Sequence, residues 1–314
     1  MSKNIIINFP TNFGDTVMAL PVLDRLRASY PKGRITAIAS YRTKDFLIRN
    51  TFIDEIVLFN KLWPARQKLK FSLSLRGKYD IIADLKNSLL PLILNVPSRT
   101  PFCRRGLDAL HIKDSYLKVC QKLFTETEKS PKSDFQLTTK EKAFWDKFNL
   151  KSSLFVACSS LSVPKRYSKA HLKQVLESLL KKHIPIVVLG EKSDKDFYQD
   201  ILKLKNVTDL VGETTLGEVF YLLKNYARLV LSVETGILHL GSYLNIPIVA
   251  LFGSGDTRKA HPWSSKSISL RNTNLSCWPC DDGKCKIAYE CMKIEPQKVI
   301  ETIEKLWPMT LKKF

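Results

Sequence analysis

Leu229 to Leu240 read LVLSVETGILHL. Leu229 to Val233 form a buried apolar strand, and Ile237 to Tyr243 follow with the spacing of a helix. Between them the strand delivers an acid, a hydroxyl and a glycine, Glu234-Thr235-Gly236, onto the helix's first turn, where free amides and the positive dipole end attract an anion. Strand, short polar loop and helix make the unit of a parallel sheet, and the unit recurs on both sides. Downstream, Pro247 to Phe252 read as a strand ended by Gly253. Upstream lie a strand from Leu154 to Cys158, an apolar helical face of Leu172, Val175, Leu176, Leu179 and Leu180, a strand from Pro185 to Leu189, and a helix from Phe220 to Lys224. Farther back the pattern starts again. Asn4 to Phe9 are a β-branched run, Pro10 to Asp15 a loop, and Val17, Leu20, Leu23 and Leu26 a helical stripe, followed by strands at Arg34 to Ala39, Ile56 to Phe59 and Ile81 to Asp84.

Two such series in 314 residues predict an α/β chain of two Rossmann-like domains, residues 1–150 and 151–314, with a ligand cleft between them. The Thr, Ser, Lys and Glu-rich stretch from Thr125 to Thr139 is the expected connection, and a short helix from Lys140 to Phe148 leads into the second half. A 44% hydrophobic and 25% charged composition excludes collagen-like and wholly disordered chains. The apolar runs Leu89 to Leu94 and Ile246 to Phe252 are far below the roughly 18 residues of a spanning helix. The N-terminal Ile5-Ile6-Ile7 is broken by Asn8, Pro10, Asn12 and Asp15, so no secretory signal is expected and the chain reads as cytoplasmic.

The net charge is +20. It is concentrated between Ile56 and Leu107, where Lys61, Arg66, Lys68, Lys70, Arg76, Lys78, Lys86, Arg99, Arg104 and Arg105 face only Asp80 and Asp84. That segment expects an anionic partner or is a solvated basic face, since charge reports the sign of a partner and little else. A nucleic-acid module is the rival class, but the basic residues follow no RNP-like or zinc-finger pattern, and no nucleic acid is expected. P-loop, GxSxG and GxGxxG signatures are absent, which disfavours nucleotide hydrolysis on a P-loop, the serine elbow and nicotinamide chemistry. The five histidines have no metal-ligand spacing.

Four loops at strand ends carry the polar chemistry. Phe13-Gly14-Asp15 places a carboxylate at a helix start, either toward a ligand or as a helix cap. Ser159-Ser160 and the Lys165-Arg166-Tyr167-Ser168 segment suit a phosphate. Glu234-Thr235-Gly236 is followed by His239, a further site candidate or a packed core histidine. Phe252-Gly253-Ser254-Gly255 is flexible enough to lie under a diphosphate, near Pro262-Trp263.

In this order and with these separations, the five segments resemble glycosyltransferase family 9, the bacterial heptosyltransferases, from about Asn4 to Ile303. The resemblance implies a GT-B architecture whose first domain binds the acceptor and whose second binds the donor. It implies ADP-heptose as donor and a lipopolysaccharide inner-core sugar as acceptor, with inversion and no cofactor or metal needed for transfer. Asp15 then matches the general base and Lys165 the lysine facing the diphosphate. Ser159, Ser160, Asp194, Glu234, Thr235, Gly236 and His239 become donor-binding residues; Glu234 stands where the family usually carries aspartate. Lys61, Lys68, Lys70, Arg104 and Arg105 are expected to meet an anionic lipid-linked glycan at the inner face of the cytoplasmic membrane. The alternatives are a same-fold transferase with another nucleotide-sugar donor or with a protein acceptor.

Cys277, Cys280, Cys285 and Cys291 crowd into fifteen residues. This spacing suits a structural zinc or iron with all four positions filled, or else reduced free thiols in a loop.

Overall fold

The computed structural model describes residues 2–308 except 103, 127–129, 149, 274, 279 and 281–284. The chain divides into two units, residues 1–137 and 138–314.

The first unit runs β1 (Asn4–Asn8), α1 (Phe13–Ser29), β2 (Arg34–Ala39), α2 (Lys44–Leu47), β3 (Glu55–Leu58), α3 (Ala65–Ser74), β4 (Ile81–Asp84), α4 (Leu90–Leu94), β5 (Ser98–Arg99) and α5 (Ile112–Cys120). Its strands are parallel in the order β3-β2-β1-β4-β5. Ile5, Ile6 and Ile7 are all fully buried, because a central parallel strand is covered on both faces. Ile6, Ile38, Ile82, Leu75, Leu90 and Leu94 form one apolar layer beneath α3 and α4.

The second unit runs α6 (Thr139–Trp145), β6 (Ser153–Ala157), α7 (Lys169–Lys181), β7 (Ile186–Gly190), α8 (Lys195–Leu202), β8 (Val207–Val211), α9 (Leu216–Tyr226), β9 (Ala227–Val233), α10 (Gly236–Tyr243), β10 (Ile248–Phe252), α11 (Thr257–Ala260), β11 (Ser267–Arg271) and α12 (Pro296–Leu306). Its parallel order is β11-β10-β9-β6-β7-β8. Leu172, Val175, Leu176 and Leu179 of α7 and Val299, Ile300 and Ile303 of α12 are buried with Leu154, Val156, Val249 and Leu251 of the sheet in one core cluster.

In each unit the strand order reverses beside the first strand, at β1/β4 and at β6/β9. Register sets these ends level: Asn8 pairs with Asp84, and Ala157 with Ser232. The loops leaving each pair therefore start at one height, and such reversal points are where open α/β sheets take ligands.

The division lies at Leu137/Thr138 rather than near Leu150. Residues 130–137 are bound to the first unit: Ser133 N donates to buried Asp24 Oδ1 at 2.9 Å, and Phe135 stacks on Phe46 at 4.1 Å. Helix α6 belongs to the second unit, because buried Trp145 donates its indole N–H to Glu218 Oε1 at 3.0 Å and Asp146 accepts from Tyr221 and Tyr226. Among the described residues no helix is long and apolar enough to cross a membrane.

Trp145→Ala removes this anchor and is expected to lower stability by about 3–5 kcal/mol. Urea unfolding at an unchanged m-value measures it; a loss below 1 kcal/mol would detach α6 from the second core.

Candidate functional site

At the β6/β9 reversal, Lys165 Nζ donates to Glu234 Oε1 at 2.7 Å, with the two side chains 29% and 14% exposed. The other carboxylate oxygen, Oε2, is buried and accepts no hydrogen bond from the described residues. Its neighbour is Gly255, where an added Cβ would stand 1.8 Å from Oε2. Gly253 is as constrained: a Cβ there would meet Pro164 O at 2.4 Å and Met292 Sδ at 2.6 Å. The glycines after β10 thus let one turn lie against Glu234 and against Pro164, the residue before Lys165.

Thr235 is the N-cap of α10, but its hydroxyl pairs with Ser232 Oγ at 3.1 Å and makes no cap bond. The first-turn amides are left uncapped by it, at the dipole end that favours an anion. His239 lies one turn on, buried, with its ring stacked on Trp263 at 5.9 Å. It is packed as a core histidine.

Ser159 Oγ donates to Asp194 Oδ1 at 2.6 Å, and Asp194 Oδ2 accepts from Glu191 N at 2.8 Å. Both oxygens of Asp194 are therefore engaged in shaping the turn after β7. Ser160 accepts at Oγ from Ser162 N at 3.1 Å and at its carbonyl from Arg166 Nε, folding the loop that carries Lys165. A residue not anticipated from sequence organises this corner. Tyr198 of α8 is fully buried, and its hydroxyl accepts from Cys158 N at 2.7 Å and Ser159 N at 2.9 Å. Burial pushes its ionisation well above the usual phenol range. Its place four residues after Asp194, on the inner face of one helix, was the available signal.

In the first unit Asp15 is the third residue of α1, behind the N-cap Asn12, whose side chain makes no cap bond. Asn12 Nδ2 donates to Asp15 Oδ2 at 3.3 Å. The phenol of Tyr116, on α5, is pushed above its usual range by burial first and by the nearby Asp15 charge second. At the β4 end, buried Asp84 accepts from Asn8 Nδ2 at 2.7 Å and Ser88 N at 2.6 Å. Arg104 donates to the Asp84 carbonyl and lies 3.8 Å from its carboxylate. Arg104 departs from the sequence expectation: its side chain is only 10% exposed and is held by Asp84, so it is no surface cation. Lys61, Lys70 and Arg105 are exposed, and Lys68 is half-buried in a pocket beneath α3.

Cys277, Cys280, Cys285 and Cys291 are free thiols lining one small pocket with Pro164, Ser254 and Trp278. Among the described residues no group of three or more His, Cys, Asp or Glu side chains is arranged to hold a metal. Cys277 is exposed, Cys285 Sγ accepts from Tyr289 N at 3.2 Å, and burial first, then the neighbouring thiols, push the Cys291 thiol up. Four thiols in one small pocket have the donor chemistry of a zinc or iron site, without a metal-holding arrangement among the described residues. The segment acts instead on the glycine turn: Cys280 N donates to Ser254 O and Trp278 Nε1 to Gly255 O, both at 3.0 Å.

The model of glycosyltransferase family 9 (heptosyltransferase) matches residues 103–289, more than half of the chain. The chain belongs to this family. It is 25% identical to lipooligosaccharide heptosyltransferase 2 of Campylobacter jejuni over 96% of this chain and 98% of that protein. Among solved structures it resembles E. coli ADP-heptose lps heptosyltransferase II, with TM-score 0.76, 21% identity and coverage of 98% and 99% of the two chains. A family 9 glycosyl transferase from Veillonella parvula gives TM-score 0.79 at 18% identity, covering 98% and 97%. The two Rossmann-like units are those of a GT-B glycosyltransferase.

Tyr198→Phe leaves the amides of Cys158 and Ser159 without their acceptor. A stability loss of about 1–3 kcal/mol per orphaned amide is expected in urea unfolding, with no loss if water takes the hydroxyl's place.

Proposed function

We propose that this glycosyltransferase moves heptose from ADP-heptose to a hydroxyl of the lipopolysaccharide inner core, with inversion, at the inner face of the cytoplasmic membrane. The observation that carries the reading is the Lys165–Glu234 pair beside the uncapped start of α10 at the β6/β9 reversal. A nucleoside diphosphate leaving a sugar gathers negative charge, which one ammonium and preorganised amides stabilise. Glu234 Oε2, buried without a donor, is the acceptor a donor-sugar hydroxyl would satisfy. The names of the relatives support the choice of sugar.

Asp15 serves as base. The acceptor oxygen bonds to the anomeric carbon as its proton passes to Asp15, and the bond from that carbon to the diphosphate oxygen breaks on the opposite side, releasing ADP. Its place in the first turn of α1 sets the carboxylate at the positive end of the helix dipole. No step draws on a metal. Ser159, Ser160, Thr235 and Gly236 shape the diphosphate's surroundings, with Asp194 and His239 holding the loop and helix behind them. The exposed Lys61, Lys70 and Arg105 attract the polyanionic, lipid-linked acceptor; Arg104 contributes by fixing the end of β4.

A panel of nucleotide sugars, with release of ADP or UDP followed on purified enzyme, tests the donor. Turnover is expected with ADP-heptose, and turnover with a UDP-sugar alone would assign a different one. Asp15→Ala should lower kcat by about 10²-fold with donor affinity little changed; near-normal turnover would leave Asp15 a helix-end charge. Lys165→Ala should weaken ADP binding by about 10-fold or more and slow transfer with it, since one charge-assisted contact is worth about 1.5–3 kcal/mol. Unchanged ADP affinity in calorimetry would remove Lys165 from the donor site.

A further inference from the structure

Between α3, α4 and the sheet of the first unit lies a pocket of about 350 Å³, walled mainly by Ile38, Phe59, Leu69, Phe71, Leu90 and Ile93. Its polar lining is Asn8, Ser72, Ser88, Lys68 and Lys86. Most of that lining is already engaged. Ser72 Oγ donates to Lys68 O at 2.9 Å, and Asn8 Nδ2 donates to Asp84 Oδ1. A sugar would find few hydrogen-bonding groups here, whereas an aliphatic chain would find a continuous apolar wall.

The two lysines add a charge requirement. Lys86 Nζ lies 5.2 Å from the centre of the Phe59 ring, and burial lowers its pKa although nearby Asp84 opposes the shift. Neither Lys68 nor Lys86 is ion-paired with a carboxylate among the described residues. From the pocket rim at Leu69 and Leu89, 50% and 57% exposed, the apolar surface continues outside through Leu62, Leu73 and Leu92, which are 80%, 49% and 46% exposed. Arg66 and Lys70 interleave with them on α3. Exposed leucines among cations are the composition of an element lying in an anionic membrane interface.

We propose that the α3–α4 pocket receives one acyl chain of an anionic membrane lipid, with Lys68 and Lys86 meeting the acidic headgroup. The inference rests on the membrane-facing part of the reading above and gives it a site: a lipid is drawn into the acceptor-binding unit by shape and charge together, where surface cations alone would hold the enzyme only at a distance set by screening.

Trp63 is a built-in reporter, its ring 5.7 Å from Phe59 and 5.6 Å from Phe71, both in the pocket wall. Phosphatidylglycerol vesicles with brominated acyl chains should quench its fluorescence, saturably and less at high salt, and Trp63→Phe should remove the quenched component. Ser72→Phe, which fills the pocket, should abolish quenching; if that variant melts early, Ile93→Phe takes its place. Lys68→Gln with Lys86→Gln should raise the half-saturating lipid about fivefold or more. Equal quenching by brominated phosphatidylcholine, quenching that survives the filled pocket, or flotation with vesicles without Trp63 quenching would each overturn the proposal. So would quenching by monomeric brominated dodecyl phosphate alone, which would assign a free amphiphile. The signal is independent of sugar transfer, so its failure leaves the transferase reading standing, and failure of ADP-heptose turnover leaves the pocket standing.

Discussion

A parallel strand hands the chain on at its carboxyl end, and the helix that follows returns with a right-handed crossover. Where two neighbouring strands send their helices toward opposite edges of the sheet, neither helix covers the gap between them. In this chain β1 and β4 form one such gap and β6 and β9 the other. Asp15 and Asp84 with its attendants belong to the first, and Ser159, Lys165 and Glu234 to the second. The side chains gathered there sit on loops far apart in sequence, and the hydrogen-bonded register of the strands brings them within reach of each other.

The second gap is the more demanding. A carboxylate that is mostly buried, with one oxygen ion-paired and the other without a donor, is costly unless its surroundings are tightly specified. Glu234 is held by Lys165 on one side and roofed by Gly255 on the other. Glu234 and Gly255 are therefore coupled: a side chain at 255 displaces the carboxylate, and a shorter acid at 234 would relieve that demand. Removing Lys165 takes away the cation 2.7 Å from a mostly buried carboxylate, so its loss is felt in the fold as well as in chemistry.

The strands were legible because central parallel strands are buried on both faces and read as unbroken β-branched runs. Arg34–Ala39 and Ile81–Asp84 coincide with their expected limits. The edge strands of the second sheet were not: Val207–Val211 carries Thr208 and Asp209, and Ser267–Arg271 alternates with serine, so neither stands out by periodicity. The loops holding Asp15, Lys165 and Glu234 were legible from residue type and position at strand ends. What sequence could not supply was pairing in space. Arg104 read as one cation in a basic run, yet it is bound to Asp84, twenty residues earlier; Tyr198 read as a helix aromatic, yet it terminates two amides of another strand's loop. The four clustered cysteines show the opposite limit, since spacing brought the thiols to one pocket without giving them a metal-holding arrangement among the described residues.

Those cysteines differ from the two buried ones among the described residues in a way that bears on chemistry from outside. Burial pushes the Cys120 thiol up to about 12 and Cys158 higher still, so both stay protonated near neutral pH and turn no thiolate toward an electrophile. Cys277, by contrast, is exposed, and Cys280, one backbone hydrogen bond from the glycine turn, is half-exposed. An alkylating reagent will therefore discriminate between the buried positions and the loop, and a group attached at Cys277 or Cys280 will ride on the segment hydrogen-bonded to the turn that roofs Glu234. Thiol labelling becomes a position gauge for that turn, written into the chain by the unequal burial of its own sulfurs.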